Sequence, residues 1–526
     1  MTVSTLTVVP ETHVSGTAPC AEPTTMAPPW YVRSTDVRLQ AIARAVRDDY
    51  PDWLDHVRSA AACVRPVRLA GAIATVEADT GRILSTVSTA TMPDGVIYKA
   101  CGNRRETVCP ACSQRYKGDA YQVVRSGLIG GKGVPEQVAT HPAVFPTFTA
   151  PSFGPVHTRH IKRHTCGRRA SCDCRPEPCH PRRDAAWCEH GRRLVCFARH
   201  ADSDRALGTP LCLDCYDHDA QVVWNLQAGE LWRRTTIAIN RYMRRLARER
   251  GIPDVQVVTV RDGKVRVRSV APFRLSFGKA AEMQRRAAVH FHAIIRLDGF
   301  DPDDRDAILP PPAGLDAGDL KAAVDHAAGT VGFTTGDHPA RPEGWPIAWG
   351  PQTLTKLITV AADGEVTDGM VAAYLAKYAT KSTEITGHAS SRLNDDTIGV
   401  YADPDGTHTE RLVEACWILG RPSDWRRLRR WAHMLGFGGH FLTKSRRYSV
   451  TFTVLRAERA TWQRVQNSGP EVTEPGEEPT TLVVNFLQFV GAGWHTTADA
   501  LMANTSAALA REHQQLARTD LVALAA

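Results

Sequence analysis

The chain has 526 residues, with 64 Lys and Arg against 56 Asp and Glu, a formal charge of +8 and 43% hydrophobic residues. This length exceeds one ordinary core and predicts two to four domains of a soluble globular protein. No apolar run reaches the roughly 18 residues of a membrane-spanning helix, and MTVSTLTVVPETHVSG lacks the basic start and apolar block of a secretion signal, so the expected location is the cytoplasm.

Residues 1–35 are rich in Thr, Pro and Ser and are expected to be disordered. An N-terminal region, 36–97, holds one or two amphipathic helices over about 36–62 and a strand at Val67–Val76. A cysteine-rich region, 98–219, holds a helix over 113–127 and the segment VFPTFTAPSFG, 144–154, whose β-formers read as a buried strand ending at a Pro/Ser turn. The next region, 220–465, starts with a long helix over 220–250 that stops at Gly251. Asp262-Gly263 is a hairpin signal, and AVHFHAIIRL, 288–297, reads as a strand. Helices are expected over 318–328, 368–382 and 422–435, a loop over 403–409 and a strand from Tyr448. The remainder, 466–526, is a Gly/Pro/Glu/Thr linker, then a strand or helix, then an Ala-rich helix.

Charge is distributed more tellingly than its total. Basic residues cluster at 233–234, 241–250, 426–430 and 444–447, several beside Trp232, Tyr242, Trp425, Trp431 or Tyr448. Cations beside flat rings suit phosphate neutralisation with base stacking, although each cluster alone reads equally as a solvated helix face.

His290 and His292 flank Phe291. On a strand, alternate side chains share a face, so both imidazoles point one way and Phe291 points into a core. Apolar neighbours make that strand a rigid platform, which suits a divalent ion. Glu282 becomes a third ligand if residues 284–288 form a turn that brings it beside the pair; otherwise it is an ordinary surface glutamate. In YLAKYATK, Tyr374 and Tyr378 share one helix face, and Lys377 and Lys381 share a neighbouring one. A phenol, with a pKa of about 10, needs a nearby cation to act as a nucleophile. In isolation these tyrosines read as the edge of a core.

Eleven of the 14 cysteines lie between Cys101 and Cys215. In a cytosolic chain such crowding reads as structural zinc rather than disulfides, and two-residue spacing lets both thiolates reach one tetrahedral ion. One site would join Cys101, Cys109 and Cys112 to a more distant ligand. Another would use Cys188, Cys196, Cys212 and Cys215, with His190 nearby. Alternatively, the two CxxC pairs share one ion. Cys166, Cys172, Cys174, Cys179 and His180 are further candidates.

In their order, TFTAPSFG, HFHAIIRLDG and YLAKYATK resemble the three motifs of the HUH family of rolling-circle replication initiators. More closely, CGNRRETVCPAC, PSFGPVHT, AGELWRRTTIAI, QRRAAVHFHAIIRLDG, AAYLAKYATKSTE and LGFGGHFLTKSRRYSVTF resemble RepSA-type initiators of actinobacterial plasmids and integrative elements, over about residues 98–460. CGRRASCDCRPEPCHPRRD departs from that pattern as an apparent insertion.

The resemblance implies an α+β fold: an HUH-endonuclease antiparallel sheet of about five strands flanked by helices, interrupted by the cysteine-rich zinc-binding region. It implies that His290 and His292 hold Mg²⁺ or Mn²⁺ on a central strand, that Tyr378 is the nucleophile assisted by Lys377 or Lys381, and that Tyr374 serves a second strand transfer. The partners it implies are single- and double-stranded origin DNA, with a host helicase as a further candidate and no membrane. A relaxase or transposase of the same superfamily is the nearest alternative, although no P-loop occurs in the chain. A zinc-dependent DNA-binding regulator without catalysis is the other.

Overall fold

The structure, a computed structural model, describes residues 35–161, 176–182, 187–261, 264–358, 371–372, 375–376, 391–468 and 481–525. It has two compact units, Met1–Cys101 with Pro475–Ala526, and Gly102–Glu474. No helix among the described residues is long and apolar enough to cross a membrane.

The smaller unit is built from both ends of the chain. Strand β1 (Val67–Glu77) pairs with β2 (Ile83–Ser88), with β3 (Ile97–Lys99), and with β13 (Thr481–Ala492) near the C-terminus, always antiparallel. The segments read separately as 36–97 and 466–526 therefore share one sheet, and the choice of strand or helix after the linker resolves to strand. Helices α1 (Val37–Ala45) and α2 (Tyr50–Val57) complete the unit with α8 (Thr497–Ala525). Arg44, 1% exposed, links the parts: its guanidinium donates to Asp94 (2.9 and 3.2 Å) and to Asp499 (2.8 Å) and lies over the Trp53 ring. Trp53 and Tyr98 also donate to Asp94, so the buried charges are fully partnered.

The larger unit is organised on a five-stranded antiparallel sheet of order β11-β4-β8-β7-β12. The strands are β4 (Ala143–Phe148), β7 (Phe273–Met283), β8 (Val289–Gly299), β11 (Leu354–Leu357) and β12 (Leu442–Lys444). Both faces of β8 are covered, and every residue of it but His290 is buried. On one face, Phe291, Ala293, Ile295 and Leu297 meet Trp224, Leu231, Ile239 and Met243 of the long helix α4 (His218–Glu249). On the other, Ala280 and Ile294 meet Val124 and Leu128 of α3 (Pro110–Ile129). Arg296 and Asp298, both fully buried, pair at 2.7 Å beneath α3, and Arg296 also donates to the carbonyl of Gly127. Helices α5 (Ala317–Thr330) and α6 (His408–Leu419) pack on α4. Outside the main sheet, β5 (Val255–Arg261) and β6 (Lys264–Val270) form the expected hairpin, while β9 (Gly332–Thr334) pairs with β10 (Pro346–Ala348).

Two expected elements differ. Residues from Tyr448 do not form a strand. The Tyr448 ring is fully buried between Gly127 and Gly278, where an added Cβ would lie 2.3 and 2.9 Å from it, and its hydroxyl donates to the Val124 carbonyl at 3.1 Å. Helix α7 (Phe452–Ser468) follows at once, because RAERATWQRVQ contains good helix formers that outweigh the β-formers before it. The Trp/Arg-rich stretch is also not one helix. A single turn at Arg427–Arg430 lies between 3-10 turns at Ser423–Trp425 and Ala432–Met434, and Leu435 and Gly436 close it at φ 53° and 87°.

Lys279 sits in the α4-side core with its Nζ 3.7 Å from the Phe291 ring centre and 5.2 Å from that of Trp232. Burial pulls this ammonium down to about 7. The unfolded chain therefore holds a proton that the folded chain lacks between pH 7 and the ordinary lysine range, so this group makes stability rise with pH across that window and leaves it level below. Lys279→Met is expected to raise the unfolding free energy by about 2–4 kcal/mol near pH 6, with a smaller gain near pH 9.5, in urea titrations of both proteins.

Candidate metal and nucleophile site

The register of β7 on β8 sets the site. Glu282 pairs with His290, and Ala280 pairs with His292. Residues directly opposite on antiparallel strands share a face, so the carboxylate and both imidazoles project together while Phe291 projects to the α4 side. Glu282 Oε2 is 3.3 Å from His292 Nε2, and the two imidazole centroids are 4.4 Å apart. From β4, Thr147 Oγ1 lies 3.2 Å from His292 Nδ1, and Phe145 stacks on that ring. Gln284 Nε2 lies 3.2 Å from His290 Nδ1. Burial, then the neighbouring His292 and Arg286, pull His290 down to about 3, so it is neutral with an available lone pair at ordinary pH. One carboxylate and two imidazoles on a rigid strand pair are a donor set that fits a divalent ion.

The turn that creates this register is held from several sides. Gln284 N–H donates to Ala288 O at 2.9 Å, and Ala287 N–H to Gln284 O at 2.8 Å. Arg286 donates to the carbonyls of Pro151 (2.8 Å) and Ala150 (2.9 Å), and its own carbonyl accepts from Gln221 at 2.9 Å. Asn225, fully buried on α4, donates to the carbonyls of Ala287 (3.0 Å) and Leu435 (2.8 Å) and accepts from Val289 N–H (3.0 Å).

Tyr374, Lys377, Tyr378 and Lys381 lie outside the described residues. Their neighbours Val371–Ala372 and Leu375–Ala376 are helical and buried. Val371, Ala372 and Leu375 pack with Ala280 and Ile294, which occupy the same sheet face as His290 and His292.

Cysteine geometry corrects the sequence reading in part. Cys188, His190, Cys212 and Cys215 offer ligand atoms all within 4.8 Å of one another. Burial opposes ionisation of Cys188, but the Arg192 and His190 backbone N–H groups and the neighbouring thiols outweigh it and bring Cys188 to about 7. Burial, then Cys188 and Cys212, push Cys215 up to about 12. Three thiol groups and an imidazole at this spacing could hold one metal ion. Since Cys212 and Cys215 complete their set with Cys188 and His190, the two CxxC pairs do not share one ion. Cys196, expected in this set, stands instead with His157, Cys179 and His200, again within 4.8 Å. The short pairing of His180 with Cys196 (2.7 and 3.1 Å) carries it there. His157 and His200 were not singled out from the sequence, although Cys196-x-x-x-His200 has metal-ligand spacing. Cys101 N–H donates to Cys63 Sγ at 3.3 Å, and Cys109 and Cys112 are buried. Cys166, Cys172 and Cys174 lie outside the described residues.

These features define an α+β protein with a carboxylate and histidine pair on the central strand of an antiparallel sheet, and with cysteine-histidine sets that could hold metal. The RepSA family model, described as "Replication initiator protein, pSAM2", matches residues 49–508. A "Replication initiator protein" of Streptomyces ambofaciens is 37% identical over 477 residues, covering 89% of this chain and 92% of the relative. No solved structure matches the chain. The chain belongs to the RepSA family of replication initiators.

Asn225→Ala would leave two carbonyls and one N–H of the turn region without their partner. We expect a loss of about 2–4 kcal/mol in chemical unfolding of the larger unit, followed by tryptophan fluorescence.

Proposed function

We propose that this initiator nicks and rejoins one strand of origin DNA through a covalent 5′-phosphotyrosine, as in rolling-circle replication. The observation that carries the reading is the packing of Val371, Ala372 and Leu375, which flank Tyr374 and precede Tyr378, on the sheet face that bears His290 and His292. A tyrosine from that helix and the imidazole pair then address one phosphate.

Tyr378 is the nucleophile. Its phenol oxygen attacks phosphorus, the bond from phosphorus to the 3′ oxygen breaks, and that oxygen takes a proton to become a free 3′ hydroxyl. Lys377 or Lys381 stabilises the phenolate. His290, His292 and Glu282 hold Mg²⁺ or Mn²⁺, which supplies polarisation of the scissile phosphate when bound. Tyr374 serves the second transfer: its phenol oxygen takes the next 5′ phosphate as that phosphorus–3′ oxygen bond breaks, and the freed 3′ hydroxyl attacks the Tyr378 phosphodiester, releasing the Tyr378 phenol and joining the strand. Zinc at Cys188, His190, Cys212 and Cys215 has a structural role, since four ligands close a tetrahedral shell.

Duplex DNA needs a further surface, and the β5–β6 hairpin offers one. Lys264, Arg266 and Arg268 alternate along β6, all exposed, on one face of a two-stranded ribbon. A major groove admits such a ribbon, and its cations neutralise phosphates.

Purified protein incubated with Mn²⁺ and single-stranded oligonucleotides that contain its own origin should give an adduct stable on denaturing gels. Tyr378→Phe and His292→Ala weaken that adduct, and the double change with Tyr374→Phe abolishes it. No adduct from the wild-type protein, or full adduct from the double Phe variant, would refute the nicking chemistry.

For the ribbon, the double change Arg266→Ala and Arg268→Ala should reduce the slope of log K against log salt for duplex binding by about 2. An unchanged slope removes the ribbon from the interface.

A further inference from the structure

We propose that residues 157–215 hold a second zinc ion at His157, Cys179, Cys196 and His200, interleaved with the Cys188, His190, Cys212 and Cys215 set, and that this metal-locked segment buttresses the turn joining Glu282 to His290. The zinc assignment stands apart from the nicking chemistry.

The four ligand atoms converge. His157 Nδ1 is 3.2 Å from His200 Nε2, Cys196 Sγ is 3.4 Å from the same nitrogen, and Cys179 Sγ is 3.9 Å from His157 Nδ1. Around them lie the groups that metal ligands require. Thr158 N–H points at Cys179 Sγ at 3.1 Å, and Asp204 Oδ2 is 2.6 Å from His200 Nδ1. A carboxylate on Nδ1 fixes the tautomer that leaves Nε2 free to ligate, the usual outer partner of a metal-bound histidine. His180 Nδ1 lies 3.0 Å from Cys179 Sγ on the flank of the set.

The order of ligands along the chain is the informative feature. His157 and Cys179 belong to the first set, Cys188 and His190 to the second, Cys196 and His200 to the first, and Cys212 and Cys215 to the second. Each ion therefore closes a loop that contains ligands of the other, and neither half of the segment can leave alone. The segment needs such closure. Between residues 155 and 217 the buried apolar side chains described are Cys179, Leu207, Pro210, Cys212 and Tyr216, of which two are ligands. Among the described residues its strand pairing is confined to isolated bridges, such as Val156 with Pro210 and His180 with Cys196. So small a core does not hold a fold without metal.

Asp204 connects this lock to the catalytic face. Its carboxylate meets His200, while its backbone carbonyl and that of Asp202 accept from Arg285. Gly208, at φ +86°, lies so close that an added Cβ would be 2.4 Å from the Arg285 carbonyl carbon. Arg285 and its neighbours 284–288 set the β7–β8 register, so release of the first ion loosens that turn.

Zinc content of the full-length protein, measured per chain by atomic emission, tests the assignment. Cys196→Ser and His200→Ala should each lose one equivalent, and Cys188→Ser should lose a different one, so that a Cys196→Ser and Cys188→Ser double variant loses two. A full wild-type content in both Cys196→Ser and His200→Ala would overturn the second ion. Asp204→Asn keeps all four ligands and covers the case in which those variants do not fold. It should weaken one equivalent by about 10–100-fold in chelator competition and, with that equivalent removed, speed hydrogen exchange at the Gln284 and Ala287 amides. Unchanged affinity would overturn the site, and unchanged exchange would overturn the buttress.

Discussion

The antiparallel register of β7 on β8 is the constraint on which the rest of this protein depends. With Glu282 opposite His290, one carboxylate and two imidazoles share the β8 face that α3 covers. A slip of β8 by one residue would send both imidazoles to the α4 side, into the contacts of Phe291 and away from Glu282. The register is set by a short turn, and that turn carries more polar anchors than its length would suggest: Arg286 to the chain after β4, Asn225 from α4, and Gln221 beside it. Anchors from β4, α4 and the cysteine-rich segment make the turn the point where separate parts of the larger unit meet.

This arrangement gives the cysteine-rich segment a place in the architecture. It enters the chain between β4 and α4, inside what would otherwise be a continuous run from the five-stranded sheet to its supporting helix. Metal sets with few apolar residues rigidify such an insertion at little cost in chain length. The segment returns to the sheet through Arg285 and Gly208. The smaller unit has a different logic: Arg44, shared between Asp94 and Asp499, ties the two ends of the chain into one fold by a buried and fully partnered charge cluster.

Much of this was legible before any coordinates. Alternation around His290 and His292 and the apolar run in β8 define a strand buried on both faces, and the β5–β6 hairpin follows from Asp262-Gly263. What was not legible has physical reasons. Tyr448 sits among β-formers, yet its ring fills a gap left by two glycines on distant elements, a contact that local propensity does not encode. The pairing of β1 with β13 joins segments at opposite ends of the chain, and no local pattern specifies such a partner. Cysteine spacing identified CxxC pairs but not their partners, because ligand choice follows from loop closure: His157 is 39 residues from Cys196 in sequence and beside it in space. Glu282 was placed correctly on the adjacent strand only on the condition that 284–288 turn, and they do. Tyr374 and Tyr378 rest on the motif and on the packing of their neighbours.

The most direct measurement is the position of bound Mn²⁺, located by anomalous scattering from crystals of the full-length protein. We expect one manganese ion ligated by His290, His292 and Glu282 on the β8 face against which Val371, Ala372 and Leu375 pack. Manganese bound elsewhere, with His290 and His292 contacting no ion at saturating concentration, would contradict it.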